Sequence, residues 1–369
     1  MTEPIRLFLC GDVMTGRGID QVLPHPGNPV LYESYVQDAR DYVRLAEPAN
    51  GPIARPVDYA YPWGDALEEL ERSAVDARII NLETSITSSE DAWPGKGIHY
   101  RMHPDNIGCL TAARIDCCCL ANNHVLDWGR AGLAETLRTL ERAGVAHPGA
   151  GRDAGEAAAP AIIDVPNKGR VLVFSFGLTS SGIPREWYAL KARSGVCMLP
   201  DLSAETALHA ASGVRKLKQP GDVLIASIHW GGNWGYEVPD EQVCFAHRLV
   251  EQGVDVVHGH SSHHVKALEV YRDRLILYGC GDFIDDYEGI HGYEEFRTDL
   301  RVMYLLQVNP GEGRLVGARG LPLQVRRFRL QRASEEDAQW LCGLLNRLGA
   351  PFGGHVRLDR DGTLTLGSR

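Results

Sequence analysis

The sequence has no long apolar run and no membrane-spanning pattern. No stretch approaches the roughly 18 consecutive apolar residues that a transmembrane helix needs. The apolar run before Gly11 is too short for the core of a signal peptide. We therefore expect a cytoplasmic protein that makes no contact with a membrane.

Basic residues are also in short supply. The 369 residues include 38 Lys and Arg against 48 Asp and Glu, which gives a formal net charge of −10. A protein that binds nucleic acid would present a basic patch, so we expect no nucleic-acid partner. A composition of 44% hydrophobic and 23% charged residues is typical of a folded globular protein and excludes a mainly disordered chain.

The nine cysteines form no C-x-x-C pair. Nine is an odd number, and most of these residues lie in apolar stretches. Buried, reduced thiols of a cytosolic protein are the simplest interpretation. Cys117, Cys118 and Cys119 would alternate between the two faces of a strand, which argues against a thiolate metal site.

Short apolar stretches alternate with amphipathic helical patterns along the chain, which predicts an α/β fold with mixed sheets. Five of these stretches are predicted buried strands, at residues 5–10, 77–82, 115–121, 223–228 and 254–257. Residues 22–63 are rich in Pro, Gly and Tyr and are predicted to be a long loop insertion. We expect one domain over residues 1–330, with a helix and strand over residues 331–369 packed on the same domain.

Each of these five strands is followed by polar side chains that can bind a metal ion. The clusters are Asp12; Asn81 with Glu83; Asn122, Asn123 and His124; His229; and His258, His260, His263 and His264. Ligands of α/β sheets bind beyond the carboxyl ends of strands, so these clusters can converge. A single Asp or His at a strand end is more often structural, but packing does not explain the ordered series. Carboxylate, amide and imidazole groups suit Mg, Ca, Mn, Fe or Zn better than they suit a thiolate-bound metal.

Six motifs resemble those of the CapA-like proteins, which were first associated with poly-γ-glutamate capsule synthesis. In chain order they read GDVMTGR, NLETSIT, LANNHVLDWG, SIHWGGNWGYEVPDEQ, VDVVHGHSSHH and LILYGCGDF. The resemblance extends from about residue 5 to 310. It implies a calcineurin-like metallophosphoesterase fold, an α/β sandwich of two mixed β-sheets flanked by helices. It leaves the reaction open, because one fold hosts many activities.

The resemblance also implies a set of metal ligands. They are Asp12, Glu83, Asn123, His229 and His260. Dinuclear phosphoesterases carry Asp-x-His on the first strand, whereas this chain has Asp12-Val13-Met14. Loss of that imidazole predicts one divalent ion, or two of unequal affinity. The harder ligand set that remains favours Ca, Mg or Mn.

Other residues near these motifs are candidates for proton transfer. They are His124, Asp12, His263, Asp282 and His291. A His–Asp pair holds the imidazole in one tautomer and tunes its pKa. His291, in a predicted loop after Asp282, is a candidate base. Asp127 follows His124 by three residues and is expected to orient it or to cap the next helix.

Two such bases on opposite sides of a Cα–H could remove and return a proton, while a cation stabilises the enolate. This arrangement is similar to that of the metal-dependent peptide epimerases of lasso-peptide biosynthesis, an offshoot of the CapA-like family. These enzymes invert the C-terminal Trp of a ribosomal precursor peptide without an organic cofactor. We predict that this chain has this epimerase activity, acts on a ribosomal precursor peptide and needs no organic cofactor. The alternatives are a metallohydrolase of phosphoesters, amides or poly-γ-glutamate, and a non-catalytic binding module.

Four residues are candidates for substrate binding. Arg101 could pair with a substrate carboxylate, with His99 and His103 beside it, although a solvated loop explains this polar cluster equally well. Trp230 follows His229 and could form an aromatic peptide pocket, although packing explains a Trp at least as well. The glycines around Arg17 do not form the dinucleotide-binding pattern, which argues against a nucleotide cofactor.

Overall fold

The computed structural model describes residues 3–368, apart from the side chains of Val214 and Ser368. Over this range the strands are β1 (Ile5–Val13), β2 (Ala77–Leu82), β3 (Ser85–Ile86), β4 (Arg101–Met102), β5 (Cys117–Cys119), β6 (Ala150–Gly151), β7 (Ala161–Val165), β8 (Gly169–Gly177), β9 (Gly195–Val196), β10 (Asp222–His229), β11 (Val256–His260), β12 (Leu268–Tyr271), β13 (Arg274–Leu277), β14 (Asp282–Ile284), β15 (Leu300–Val308), β16 (Leu315–Arg326), β17 (Arg329–Arg332), β18 (Gly354–Leu358) and β19 (Leu364–Ser368). The α-helices are α1 (Arg17–Val22), α2 (Arg40–Asn50), α3 (Asp65–Arg72), α4 (Gly108–Ala112), α5 (Gly129–Ala143), α6 (Ala154–Ala158), α7 (Ala204–Arg215), α8 (Asp240–Glu251) and α9 (Glu335–Gly349).

Two mixed sheets form the centre of the fold. The larger has the order β18-β19-β16-β15-β1-β2-β5, with β14 paired to β1 and β17 paired to β16. The smaller has the order β12-β13-β11-β10-β8-β7. Each contains both parallel and antiparallel pairs; β1 is parallel to β2 but antiparallel to β15. The predicted sandwich of two mixed sheets flanked by helices is confirmed, as are the five buried strands.

The apolar residues of both sheets explain why they stack. Side chains such as Leu7 and Ile79 of the larger sheet share one buried cluster with Val173, Val223 and Val256 of the smaller sheet. A second cluster packs the outer face of the larger sheet against helices that include α5. A third packs the outer face of the smaller sheet against α7 and α8. The central strands of both sheets are therefore buried on both faces, which requires the continuous apolar strands seen in the sequence.

The sequence predicts a long loop over residues 22–63, but these residues also contain the helix α2. Its residues Tyr42, Val43 and Ala46 are buried, and they seat the helix beside α1. Pro48 inside the helix and Gly51 at its end hide the helical pattern in the sequence. The helix α7 is likewise missed, since small residues such as Ala207 and Ala211 make its buried face.

The segment after residue 330 continues the larger sheet. Strand β19 pairs with β16 and β18 pairs with β19. Leu341 and Leu344 of α9 enter the cluster between the two sheets. Among the described residues, no helix combines the length and apolar character required to cross a membrane.

Gly11 allows β1 to pass close to the start of β14. A Cβ added at Gly11 would lie 1.5 Å from the carbonyl oxygen of Gly281, which accepts a 3.0 Å hydrogen bond from the N–H of Asp12. Gly281 itself has a φ of +76°, which favours glycine. The two glycines therefore set the spacing between Asp12 and Asp282.

We predict that Gly11→Ala lowers the free energy of unfolding by about 3 kcal/mol or more, because the methyl group overlaps rigid backbone. Urea unfolding followed by circular dichroism measures the change. The control is Gly317→Ala in β16, where an added Cβ meets nothing within 4 Å. Equal stability of the two variants would contradict this account of Gly11.

Candidate metal centre

Acidic and amide side chains meet in the larger sheet where β1 and β2 end and β14 begins. Asp12 in β1 lies opposite Asn81 of β2 on one side and Asp282 of β14 on the other. The amide of Asn81 donates a 2.7 Å hydrogen bond to Oδ1 of Asp12. The N–H of Ser261, which follows β11 of the other sheet, lies 3.2 Å from Oδ2 of Asp12 and donates to it. Asp12 therefore connects the two sheets where their strands end.

The smaller sheet contributes two imidazoles from neighbouring strands. His229 ends β10 and His260 ends β11, and the parallel register places them side by side. Their Nδ1 atoms are 2.8 Å apart. Nε2 of His260 is 2.8 Å from the hydroxyl of Ser227, so Nδ1 is the nitrogen left to face His229 and Asp12. Ser261 next to His260 has a φ of +103°, a strained conformation of the kind that collects at functional sites.

Glu83 and Asn123 follow strands β2 and β5 of the larger sheet and reach His229 of the smaller sheet. Oε1 of Glu83 is 3.7 Å from Nε2 of His229 and 3.7 Å from Nε2 of His124. Oδ1 of Asn123 is 2.9 Å from Nε2 of His229. The five predicted ligands are thus brought together from β1, β2, β5, β10 and β11 or the turns that follow these strands.

Three buried carboxylates, Asp12, Glu83 and Asp282, share this small volume. Burial and the charge of Asp282 raise the pKa of Asp12 to about 6. Burial and the charge of Asp12 raise the pKa of Glu83 well above its usual value. No residue that the structure describes donates a hydrogen bond to Oε2 of Glu83 or Oδ2 of Asp282. Buried carboxylate oxygens without partners are costly, so a positive charge among them would stabilise the cluster.

A divalent cation would supply positive charge to this cluster. One nitrogen each of His229 and His260 and one oxygen of Asp12 lie within 4.8 Å of one another. Carboxylate oxygens combined with imidazole nitrogens suit Mn, and the oxygens alone suit Mg or Ca. The residues present therefore fit a divalent metal.

A second group of potential ligands lies at the surface and has other partners. It contains Glu141, His147 and Glu156. Arg152 pairs with both glutamates, so part of their negative charge is already compensated. This group provides a natural control for experiments on the buried cluster.

Comparison with known proteins identifies the family. The model of the bacterial capsule synthesis protein family PGA_cap matches residues 6–287. This chain belongs to that family. It is 49% identical over 365 residues to a probable polyglutamine synthesis accessory protein of Mycobacterium tuberculosis, covering 99% of this chain and 96% of that protein.

More distant relatives carry capsule-related names. The capsule biosynthesis protein CapA of Bacillus anthracis is 22% identical over 311 residues, or 83% of this chain and 65% of that protein. The PGA biosynthesis protein CapA of Bacillus subtilis is 25% identical over 306 residues, or 82% of this chain and 68% of that protein. Among solved structures, a phosphatase from Mycoplasma pneumoniae aligns with a TM-score of 0.47 at 12% identity, over 88% of this chain and 95% of that one.

In this PGA_cap family member, His124 forms a dyad with Asp127 at one end of the carboxylate cluster. Nδ1 of His124 is 2.6 Å from Oδ2 of Asp127, which also accepts the N–H of Tyr100. The ring of Tyr100 packs edge-on against the imidazole at 4.5 Å. Burial lowers the pKa of His124 to about 4 despite Asp127, so the ring is neutral at pH 7. With its proton on Nδ1, it presents an unprotonated Nε2 towards Glu83.

His263 forms a second dyad with Asp282 at the other end of the cluster. Nδ1 of His263 is 2.8 Å from Oδ1 of Asp282, and Nε2 is 2.9 Å from the side-chain nitrogen of Asn233. Burial lowers the pKa of His263, but Asp282 outweighs that effect and the net shift is upward. Asp282 also adjoins Asp12, so the two dyads flank the row of carboxylates. Nδ1 of His264 instead lies 3.0 Å from the Val265 carbonyl oxygen, and its ring packs against Phe296.

The four predicted substrate-binding residues have partners of their own outside the cluster. The Arg101 guanidinium donates to the carbonyls of Ser89 and Asn28 and stacks on Trp128. His99 and Trp230 are buried, with ring nitrogens bonded to backbone carbonyls. His103 accepts the N–H of Asp105 at the start of a short 3-10 helix. These contacts hold loops in place and do not bring the four side chains together.

His291 also lies away from the cluster. Its side chain is 85% exposed and pairs with Glu294 at 3.2 Å. The loop that carries it packs through Tyr293, whose ring stacks on Trp234 at 3.8 Å. His291 follows Asp282 by nine residues in the sequence, but the fold does not bring its side chain to the carboxylate cluster.

Two polar residues of the site are not among the candidates named from the sequence. Lys96, from an irregular loop, places its Nζ 3.0 Å from Nδ1 of His124. Asn233 lies inside the motif around His229 and could have been suspected from that position. Lys96 could not, because its role depends on how a loop without periodicity folds back.

We predict that Mn²⁺ stabilises the metal-free protein more at pH 7 than at pH 5. The raised pKa of Asp12 means that the folded state holds protons that the unfolded state releases between about pH 4 and 6, so metal-free stability falls as pH rises through this window. Bound Mn²⁺ replaces those protons. At about 100 times its Kd, Mn²⁺ should add about 2.7 kcal/mol.

Thermal unfolding with Mn²⁺ or with EDTA measures this effect at each pH. Asp12→Asn should remove most of the pH dependence, and Glu141→Gln at the surface group should not change it. An increase in Tm that is the same at both pH values would contradict a site built on Asp12.

Proposed function

We propose that this chain is a metal-dependent hydrolase that cleaves an amide bond in a glutamate-type polymer. The observation that carries the proposal is the buried carboxylate and imidazole cluster beside the His124–Asp127 dyad, in which Oε2 of Glu83 and Oδ2 of Asp282 have no hydrogen-bond partner among the described residues. A stabilising scaffold would not be expected to bury three adjacent acids in this way. A catalytic metal centre accounts for them.

The names of the relatives support this substrate class. The 49% identical relative is described as a probable polyglutamine synthesis accessory protein, and a more distant one as a PGA biosynthesis protein. Chain synthesis requires control of length and release, which an amide hydrolase can provide. The coverage of nearly the whole of both chains in the first comparison favours a shared activity.

In this proposal Asp12, Glu83, Asn123, His229 and His260 would hold the metal. When bound, a divalent metal polarises a carbonyl and lowers the pKa of a water molecule. His124, fixed by Asp127, accepts a proton from the attacking water at Nε2 and returns it to the leaving amine. His263, held through its two ring nitrogens by Asp282 and Asn233, lies at the other end of the cluster.

A second candidate is the peptide epimerase, and the pair of dyads favours it. His124 adjoins Glu83, whereas His263 adjoins Asp282 and thereby Asp12. Two bases that flank a cation are suited to removing a Cα proton on one side and returning it on the other. The substrate would then be a ribosomal precursor peptide with a C-terminal Trp.

One set of assays in heavy water separates these functions. A hydrolase releases amines from α- or γ-linked glutamate oligomers; an epimerase exchanges one Cα–H of a Trp-ending peptide for deuterium without cleavage. Turnover of a phosphodiester alone would overturn the amide proposal in favour of a phosphoesterase. Absence of all three activities in the Mn²⁺-loaded protein would overturn both candidates.

We predict that His124→Ala lowers kcat for the glutamate oligomer by about 10²- to 10⁴-fold, the usual contribution of a positioned acid–base group. The matched control is His247→Ala, because His247 also pairs with a carboxylate, Glu269 at 2.9 Å, but on the surface of α8. Steady-state kinetics with both variants measure the difference. Full activity of the His124 variant would remove that residue from the mechanism.

A further inference from the structure

The ammonium of Lys96 lies among polar groups of a single short turn. Its Nζ is 2.5 Å from the carbonyl oxygen of Asn123 and 3.0 Å from Nδ1 of His124, and it forms an ion pair with Asp127. The side chain is only 14% exposed and lies over the ring of Trp187 at 5.3 Å. A lysine in this position has given up most of its hydration, so it needs the partners it has.

These partners belong to the turn that carries two functional side chains. Asn123 directs its Oδ1 towards His229, and His124 directs its Nε2 towards Glu83. Asp127 closes the turn and orients the imidazole. Lys96 thus joins the backbone of a predicted metal ligand to the carboxylate that holds the predicted acid–base group.

We propose that Lys96 is a positioning residue that sets the geometry of Asn123 and His124 together. Removing it leaves the Asn123 carbonyl without this donor, and among the described residues Asp127 keeps the N–H groups of Tyr100 and His124 as its donors. The turn can then relax, which moves Oδ1 of Asn123 away from His229 and rotates the imidazole. This proposal extends the proposed hydrolase function. Its predicted effect on turnover rests on that function, whereas its predicted effect on metal binding does not.

The chain contains a matched control lysine. Lys168 is also 14% exposed, and its Nζ lies 2.7 Å from the carboxylate of Asp76, 3.9 Å from that of Glu3 and 3.3 Å from the backbone carbonyl of Pro4. It lies near the start of β1, whereas Asp12 lies near the end of that strand. Substitution of either lysine by Met removes a similar set of contacts, so only the position differs.

The test compares Lys96→Met with Lys168→Met by calorimetric titration with Mn²⁺ alone. We expect Lys96→Met to weaken Mn²⁺ binding by 10-fold or more, the effect typical of groups that orient metal ligands, and Lys168→Met to bind as the unsubstituted chain does. Unchanged binding by Lys96→Met, or equal weakening in both variants, would overturn the proposal.

Turnover of the glutamate oligomer gives a second readout. Lys96→Met should lower kcat by 10-fold or more with KM little changed, since the turn positions the reacting groups rather than the substrate. Methylammonium should restore part of the activity of Lys96→Ala by occupying the vacated position; no restoration would count against a positioning role. If no form of the protein hydrolyses the oligomer, the proposed function fails, and the Mn²⁺ titration still decides the role of Lys96.

Lys96→Arg keeps the test decisive if the Met and Ala variants do not fold. Arg preserves the charge, but its planar group cannot direct donors at the same acceptors. We expect a folded protein with weakened Mn²⁺ binding. Binding equal to that of the unsubstituted chain would show that charge alone suffices and would overturn the geometric role.

Discussion

The burial of Asp12, Glu83 and Asp282 in one small volume is the constraint on which the rest of the site depends. Like charges in so small a volume repel strongly where water is excluded. Asn81 and Ser261 donate hydrogen bonds to Asp12, and Nδ1 of His263 lies 2.8 Å from one oxygen of Asp282, but Oε2 of Glu83 and Oδ2 of Asp282 have no hydrogen-bond partner among the described residues. Unfavourable arrangements of this kind persist only where the surrounding structure enforces them and a function depends on them. A metal ion would supply the missing positive charge, which is why we interpret the cluster as a metal centre and not as a purely structural feature.

The enforcing structure is the register of the parallel strands. Pairing of β1 with β14 and of β10 with β11 places Asp12 beside Asp282 and His229 beside His260. The residues of each pair then have little conformational freedom, because apolar clusters bury the strands that carry them. The close approach of Gly11 to Gly281 adds a further restraint on the spacing of the carboxylates. Stability of the sandwich and precision of the site therefore have the same origin.

Much of this arrangement could be predicted from the sequence, and the limits have physical causes. Apolar strands that end in polar residues, as at Asp12 and His229, predict convergence because sheet geometry requires it. Loops follow no such rule: Lys96 reaches the site while His291, predicted from its position after Asp282, remains at the surface. The helix α2 was hidden by Pro48, and α7 by its small buried residues. Family membership is clear, but the fold it specifies is compatible with several reactions.

The most direct test of the metal centre is anomalous X-ray scattering at the manganese absorption edge from crystals grown with Mn²⁺. We predict a strong peak bounded by Asp12, Glu83, His229 and His260, with a weaker second peak towards Asp282 if two ions bind. A peak confined to the exposed group of Glu141 and Glu156 would contradict the account. So would the absence of any peak from crystals fully equilibrated with Mn²⁺.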